Sequence, residues 1–157
     1  MKPTITIEEL AEADCAAVAE LISEGAQRGF LLLRTPQDIA DYRDNFRVAR
    51  VNGELAGCVA LREFGNELEE IRTLTVRAAQ CGIGVGSQLI AAAIDLARSR
   101  GAATVFALTL RDTLFLRNGF SQTDKAQFPQ KVWADCRLCP RREACDEIAV
   151  AIDLQAG

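Results

Sequence analysis

A glycine-rich stretch in the middle of the chain separates an alternating segment from a long amphipathic one. Glycines occupy the alternate positions Gly82, Gly84 and Gly86. Apolar side chains then recur at helical spacing over residues 85–97, which predicts a helix that ends at Gly101. A helix leaves its first N–H groups without intrahelical acceptors, and glycine lets the main chain approach a ligand closely. The junction therefore favours binding of an anion such as a phosphate or pyrophosphate.

The spacing of these glycines excludes two common phosphate-binding motifs. A Rossmann site requires G-x-G-x-x-G early in a parallel sheet, whereas the third glycine here lies at the wrong distance. A P-loop requires a lysine before its Ser or Thr, whereas Ser87 follows Gly86 directly. The glycines alone leave a plain tight turn open as the alternative.

The segments on either side of the loop predict an α+β fold. Strand-like runs at residues 46–51, 55–64 and 69–76, separated by turn signals at Asn52-Gly53 and Gly65-Asn66, predict an antiparallel meander. Glu70, Arg72, Leu74 and Val76 should share one face of its last strand. Further strands are expected at 4–7, 104–108 and 148–154, and further helices after Asp14 (broken by Gly25 and Gly29), at 36–44 and at 112–118. The strand–helix–strand crossover in the middle, beside antiparallel pairs, is typical of this class.

Composition narrows the chemistry available to the chain. Its 157 residues predict one domain spanning 1–157. It contains no histidine, which excludes Ser-His-Asp and Cys-His catalytic sites and HExxH metal sites. The net charge of −4 argues against nucleic-acid binding. No apolar run approaches the ~20 residues of a membrane span, and the N-terminus is unlike a signal peptide, so we expect a cytoplasmic protein without membrane contact.

Two motifs resemble those of the GNAT N-acetyltransferases. Leu74-Thr75-Val76, followed by Gly84-Val85-Gly86-Ser87-Gln88-Leu89, is similar to the acetyl-CoA motif of that family, and residues 114–120 are similar to its later Y-x-x-x-G-F signature. The resemblance implies a central, mostly antiparallel sheet with a β-α-β acetyl-CoA-binding core. The cofactor-binding residues that it implies are Leu74, Val76, Gln80, Cys81, Gly82, Ile83, Gly84, Val85, Gly86 and Ser87.

The chain departs from the family pattern at two positions. Cys81 occupies the place of the usual Gln or Arg in the loop, with Gln80 one residue earlier. Phe115 replaces the tyrosine that often protonates the departing thiolate, and Tyr42 is the only tyrosine. We therefore expect water or another group to supply that proton.

The segment from 114 to 150 resembles the short, single-domain N-acetylglutamate synthases. The resemblance implies direct transfer of acetyl from acetyl-CoA to the α-amine of L-glutamate in a ternary complex, which is the first step of arginine synthesis. Glu70 stands where the family often places its base, and a salt-bridged carboxylate paired with Arg72 is the alternative. Arg34, Arg72 and Lys131 are the candidates for holding the two carboxylates of the substrate, although each is also compatible with a surface ion pair.

Other functions and ligands stay open. The enzyme alternative is a GNAT protein acting on another amino acid, a small amine or a protein N-terminus. A non-catalytic acyl-CoA-binding or zinc-organised module is the alternative from another class. Structural zinc at Cys136, Cys139 and Cys145 is not favoured, because a closed site needs a fourth ligand and reduced thiols are expected in the cytosol; no other metal is expected. A homodimer is compatible with the family, although the sequence shows no diagnostic surface.

Overall fold

The computed structural model describes residues 4–27, 35–63, 67–80, 82–109, 112–123 and 148–154. The strands in this part of the chain are β1 (Ile5–Glu9), β2 (Phe46–Val51), β3 (Glu54–Glu63), β4 (Leu68–Val76), β5 (Thr104–Thr109), β6 (Ser121–Thr123) and β7 (Ile148–Asp153). The helices are α1 (Cys15–Gln27), α2 (Pro36–Asp41), α3 (Val85–Ser99) and α4 (Thr113–Arg117). Single 3₁₀ turns lie at Glu12–Asp14, Arg43–Asn45 and Ala78–Gln80.

The described strands form one sheet in the order β1-β2-β3-β4-β5-β7-β6. Neighbouring strands are antiparallel except for β4 and β5, which are parallel. Helix α3 connects these two strands, as parallel strands require a crossover. The predicted α+β class with a central β-α-β unit is confirmed.

Local turn chemistry explains several element boundaries. Asn52 and Gly53 both have positive φ, 52° and 86°, which is the type I′ geometry that a two-residue hairpin favours. At the end of α3, Gly101 has φ 81°, and the Ala102 N–H donates to the Ala97 carbonyl across 3.0 Å. This is the glycine-terminated ending that the sequence predicts.

Helix α1 does not break at Gly25, so that prediction was wrong. The helix continues to Gln27. Val18, Leu21 and Ile22 are fully buried on one face of it, and this packing outweighs the roughly 1 kcal/mol that a glycine costs within a helix. The predicted helix over 36–44 divides into α2 and the following 3₁₀ turn.

Helices cover both faces of the sheet. Helix α3 packs on one face over the larger apolar cluster, and α1 and α2 pack on the other face over a second cluster. Gly57 in β3 permits the close approach of α3, because an added Cβ would lie 2.7 Å from the Thr75 carbonyl oxygen and 3.1 Å from Leu89 Cδ1. No described helix is long and apolar enough to cross a bilayer. The assignment of residues 1–157 to one domain stays a prediction.

A β-bulge changes the faces of β4. Thr73 pairs with Ala60 and Ile71 pairs with Leu61, so Arg72 is an extra residue in β4. A bulge of this kind interrupts the alternation of side chains. Ile71, Leu74 and Val76 consequently pack together on the α3 side of the sheet.

Glu70 lies on the opposite face. It is in parallel register with Phe106, which packs against Leu68 and Leu108 in a cluster separate from the α3 side. The predicted common face of Glu70, Leu74 and Val76 is therefore wrong. The physical reason is the extra residue, which a count of alternating positions in the sequence does not include.

Candidate active site

The sheet is split between its two parallel strands. Strand β4 pairs with β5 only over Leu68–Glu70, opposite Thr104–Phe106. Beyond Glu70, Ile71 and residues 73–76 of β4 keep their pairing with β3, whereas the pairing of β4 with β5 has ended. The two strands therefore diverge toward the end of the sheet where the glycine loop and α3 begin.

Alternate residues of β4 direct their main-chain N–H and C=O groups toward this split. The Arg77 N–H donates to the Ala56 carbonyl of β3 across 2.7 Å. Successive residues of a strand direct their main-chain groups to opposite edges. The N–H and C=O groups of Thr75 therefore point toward β3, and those of Leu74 and Val76 point toward β5. The N–H and C=O of Leu74 are thus placed to pair with an extended ligand in the split.

The glycine loop forms the wall of the split at its open end. Gly82 and Gly84 have φ of 88° and 96°, conformations that L-residues other than glycine rarely adopt. Gly84 caps α3, and its carbonyl accepts the first helical N–H, that of Gln88, at 3.1 Å. The N–H groups of Val85, Gly86 and Ser87 belong to the first turn and have no intrahelical acceptor.

The loop has room for a ligand on its outer side. A Cβ added at Gly82 or Gly84 would meet no atom within 4 Å. At Gly86, by contrast, it would lie 2.8 Å from Leu114 Cδ2 of α4. Exposed glycines, main-chain donors and the positive end of the helix dipole fit the diphosphate of a coenzyme A thioester.

The other predicted loop residues occupy different positions around the first turn of α3. Val85 is buried in the core, whereas Ile83 is exposed and Gln80 and Ser87 are partly exposed. Val85 can therefore contribute its N–H but not its side chain. Cys81 lies outside the described residues.

A buried acid–base pair stands where the strands diverge. Glu70 Oε1 lies 3.5 Å from Arg72 Nε, and the two side chains are 9% and 13% exposed. The separation is longer than the ~2.8 Å of a strong charge-assisted hydrogen bond. The two residues flank Ile71 and reach the same side of the strand, so the ion pair that the sequence left as an alternative is present.

Neither Phe115 nor Tyr42 supplies a phenol hydroxyl at the site. Phe115 is buried and packs edge-to-face on Phe120 with ring centroids 5.3 Å apart. A phenylalanine ring has no hydroxyl, so this position cannot donate the proton that the family's tyrosine donates. Tyr42 is 58% exposed and follows α2, on the side of the sheet opposite α3.

The described cysteines are poor nucleophiles. Burial raises the pKa of the Cys58 thiol to about 12, and burial likewise raises the pKa of Cys15. Both are therefore protonated near neutral pH, and the thiolate is the reactive form.

Comparison with known proteins agrees with this geometry. Residues 14–120 match the acetyltransferase (GNAT) family. The chain is 37% identical over 138 residues to an uncharacterized N-acetyltransferase of Chlorobaculum tepidum, covering 88% of this chain and 89% of that protein. It is 29% identical over 129 residues to an amino-acid acetyltransferase of Mycobacterium tuberculosis, covering 80% of this chain and 74% of that one.

A solved structure shows the same arrangement of elements. The N-acetylglutamate synthase from Neisseria gonorrhoeae, complexed with coenzyme A and N-acetyl-glutamate, superposes with a TM-score of 0.84 at 27% identity. The alignment covers 96% of this chain but 35% of that one, so this chain spans about a third of that enzyme. The chain belongs to the GNAT family.

GNAT membership confirms the predicted fold and enzyme class. The chain is an acyltransferase whose donor is acetyl-CoA. The split sheet and the glycine-led helix, described above from the chain's own residues, are the features that such a donor requires. The individual roles of the loop residues stay predictions.

Several predicted residues of this GNAT protein lie outside the described part of the chain. They are Arg34 and Lys131, proposed for the acceptor substrate, and Cys136, Cys139 and Cys145, weighed as zinc ligands. Of the three cationic candidates, the structure therefore places Arg72 alone.

Sequence reasoning missed two groups near the site. Glu69, 3% exposed, accepts a hydrogen bond of 3.1 Å from Arg100 Nη1 at the end of α3. Burial raises the pKa of Glu69, and the bond from Arg100 opposes that rise. Asn118, after α4, donates to the Ser87 hydroxyl. Both contacts join residues 31 positions apart, so no local sequence pattern indicated either of them.

Proposed function

We propose that this GNAT protein transfers the acetyl group of acetyl-CoA to the α-amine of L-glutamate. The observation that carries the proposal is the buried Glu70–Arg72 pair at the point where β4 and β5 diverge. Arg72 supplies a cation that can bind a carboxylate of the substrate, and Glu70 supplies a carboxylate that can accept a proton. Both lie beside the proposed thioester cleft. With this acceptor the reaction is the first step of arginine synthesis, and we infer that it takes place in the cytoplasm.

The donor side of the proposal uses main-chain groups. The N–H groups of Val85, Gly86 and Ser87 hold the diphosphate, with Gly82 and Gly84 leaving room for it. The strand edge at Leu74 and Val76 pairs with the amide-bearing arm, which directs the thioester toward Glu70. Gln80, Ile83 and Cys81 flank the same loop and complete the proposed cofactor contacts.

The acceptor side rests on Arg72. A guanidinium offers two parallel N–H donors to a carboxylate, which fixes both the position and the orientation of an amino acid. The contact between Arg72 Nε and Glu70 Oε1, at 3.5 Å, is long for a charge-assisted hydrogen bond, and we infer that a substrate carboxylate competes for the same guanidinium. Arg34 and Lys131 are the proposed partners for the remaining carboxylate of glutamate.

Glu70 is the proposed base. It accepts one proton from the ammonium group of the substrate, and the amine nitrogen then bonds to the acetyl carbonyl carbon. When the tetrahedral intermediate collapses, the nitrogen gives its second proton to water and the carbon–sulfur bond breaks. The thiolate that leaves takes its proton from water, because Phe115 has no hydroxyl. Direct transfer of this kind requires no cysteine nucleophile, in agreement with the protonated state of Cys58.

The names of the relatives support an amino-acid acceptor. The Mycobacterium tuberculosis relative is named an amino-acid acetyltransferase, and the Neisseria gonorrhoeae structure holds N-acetyl-glutamate beside coenzyme A. The rival proposal is another amino acid, a small amine or a protein N-terminus, since the Chlorobaculum tepidum relative is an uncharacterized N-acetyltransferase.

A thiol-release assay with acetyl-CoA and each of the twenty amino acids tests the acceptor directly. We expect glutamate to give the highest kcat/KM. Arg72→Ala should raise the KM for glutamate about 10- to 100-fold, the loss of a charged hydrogen-bonded contact, and leave the KM for acetyl-CoA near its original value. Arg98→Ala, which removes an exposed arginine paired with Asp95 at 4.0 Å, is the matched control.

Two results would contradict this assignment. Higher activity with a different acceptor would replace glutamate, and an equal rise of both KM values in Arg72→Ala would make Arg72 a structural residue. Glu70→Gln tests the base separately: kcat should fall near neutral pH and recover in part at alkaline pH, where the substrate amine is already deprotonated. An unchanged kcat would assign the proton transfer to water.

A further inference from the structure

Helix α4 is held against the first turn of α3 by two contacts. Leu114 Cδ2 occupies the space beside Gly86, 2.8 Å from where a Cβ would stand. Asn118 Nδ2 donates to Ser87 Oγ at 3.2 Å and to the Leu114 carbonyl oxygen at 2.7 Å. The segment after β5 therefore touches the same turn whose N–H groups face the proposed diphosphate site.

The second bond of Asn118 fixes the orientation of its amide. A carbonyl oxygen can only accept a hydrogen bond, so the atom 2.7 Å from the Leu114 carbonyl is the NH₂ group and not the amide oxygen. The same NH₂ group faces Ser87 Oγ. Ser87 must therefore accept this bond, and its own proton has to point elsewhere.

The proton of Ser87 has no acceptor among the described hydrogen bonds. Ser87 is the third residue of α3 and is partly exposed, beside main-chain N–H groups that also lack intrahelical acceptors. A hydroxyl held as an acceptor on one side is a ready donor on the other, and an anion at the helix start is its natural partner.

We propose that Asn118 is a positioning residue for the donor substrate: by donating to Ser87 Oγ, it directs the Ser87 hydroxyl proton toward the diphosphate of acetyl-CoA. The inference rests on the proposed placement of the diphosphate at the glycine loop. It adds one oriented side-chain donor to the main-chain donors of Val85, Gly86 and Ser87. Asn118 itself does not touch the substrate.

Direct binding of coenzyme A, measured by calorimetry without any acceptor, tests the proposal. Asn118→Ala and Ser87→Ala should each weaken coenzyme A affinity about five- to tenfold, the usual range for one hydrogen bond. Asn118→Asp should weaken it further than Asn118→Ala, because a carboxylate only accepts and would take the Ser87 proton away from the ligand while adding negative charge. The KM for acetyl-CoA should rise by a similar factor in each variant.

The double variant separates positioning from a merely structural role. If Asn118 acts through Ser87, Asn118→Ala should cause no further loss of affinity in a protein that already carries Ser87→Ala. The same fold loss in both backgrounds, or an unchanged affinity in Asn118→Ala, would overturn the inference. Unfolding by denaturant, measured on each variant, shows whether the loss of the bond to Leu114 alters stability independently of binding.

A third variant distinguishes failure of this inference from failure of the proposed function. Gly84→Glu places a carboxylate at the proposed diphosphate site. If it abolishes coenzyme A binding while Asn118→Ala has no effect, the loop assignment stands and the role of Asn118 is wrong. If Gly84→Glu binds coenzyme A normally, the loop assignment fails and the inference fails with it.

Discussion

The two ends of helix α3 differ in how their polar groups are satisfied. At the N-terminal end, Gly82 and Gly84 are exposed, and the first-turn N–H groups have no intrahelical acceptor. At the C-terminal end, Gly101 closes the helix, and the Ala102 N–H returns to the Ala97 carbonyl. The N-terminal end of the helix thus has N–H donors available for a ligand, whereas at the C-terminal end the main-chain groups are hydrogen-bonded within the protein.

Arg100 extends this closed arrangement into the sheet. Its Nη1 atom lies 3.1 Å from Glu69 Oε1 and 3.3 Å from Glu63 Oε1. Its Nη2 atom donates to the Asp44 carbonyl oxygen at 3.0 Å and to Asn45 Oδ1 at 2.6 Å. One guanidinium therefore joins α3 to β3, to β4 and to the turn before β2.

This cluster lies at the end of the sheet where β4 and β5 are still paired. Glu69 lies in the short stretch of β4 that still pairs with β5, next to Glu70 and just before the divergence. The Arg100 cluster joins β3 and β4 at this end, and the glycine loop lies at the end where β4 and β5 separate. The paired, buried contacts and the open binding surface therefore lie at opposite ends of one helix.

The largest expected effect is at the open end. Gly84→Glu should weaken coenzyme A binding by more than about 100-fold, because it sets a carboxylate against the negatively charged diphosphate and strains a left-handed residue. Gly53→Glu is the matched control: Gly53 also has positive φ, 86°, and no atom within 4 Å of an added Cβ. Calorimetry should show normal binding in the control, and equal losses in both variants would attribute the effect to backbone strain or charge in general.

The closed end should give a loss of stability instead. Arg100→Ala leaves the 3% exposed Glu69 without its cation, and breaking a buried pair in this way costs roughly 3 kcal/mol of unfolding free energy. Arg98→Ala, which removes an arginine with a 56% exposed side chain, should change stability by less than about 1 kcal/mol. Denaturant unfolding measures the free energy of unfolding of both variants. A similar small loss in both would show that the Arg100 cluster does not stabilise the fold.

The smallest expected effect is a pH dependence at Glu69. Because the folded-state pKa of Glu69 is raised by burial, the folded protein binds the proton more tightly than the unfolded chain does. Its contribution to stability is present below the ordinary glutamate pKa and is lost as pH rises through the raised value. Glu69→Gln lacks this dependence, so the unfolding free energy of the variant relative to the original protein should rise with pH across that window.

Unfolding at a series of pH values between 4 and about 8 measures this difference. A relative stability of Glu69→Gln that falls as pH rises would mean that Arg100 lowers the pKa of Glu69 below its usual range, and that attraction outweighs burial at the closed end. Glu63→Gln, at a 61% exposed carboxylate of the same cluster, provides the comparison for an accessible partner of Arg100.

Features that depend on a few consecutive residues could be predicted from the sequence. Asn52-Gly53 predicted a hairpin because both positions tolerate positive φ, and Gly101 predicted the end of α3 for the same reason. The loop from Gly82 to Gly86 predicted a helix start with free N–H groups, and α3 does begin after Gly84. The anion site at this helix start stays a prediction. Glu70 and Arg72 were identified as neighbours in sequence and are paired in space.

Features that depend on contacts between distant segments could not be predicted in this way. The bulge at Arg72 arises from the pairing of β3 with β4 and reverses the expected face of Glu70 relative to Leu74 and Val76.

The chain by itself determined the order of its elements, its turns and the glycine-led helix, because backbone conformation and hydrophobic periodicity are local properties. Only the tertiary structure decided where the sheet divides, which carboxylate Arg100 holds and which hydroxyl Asn118 touches, because such contacts join residues that are close only after the strands and helices have packed.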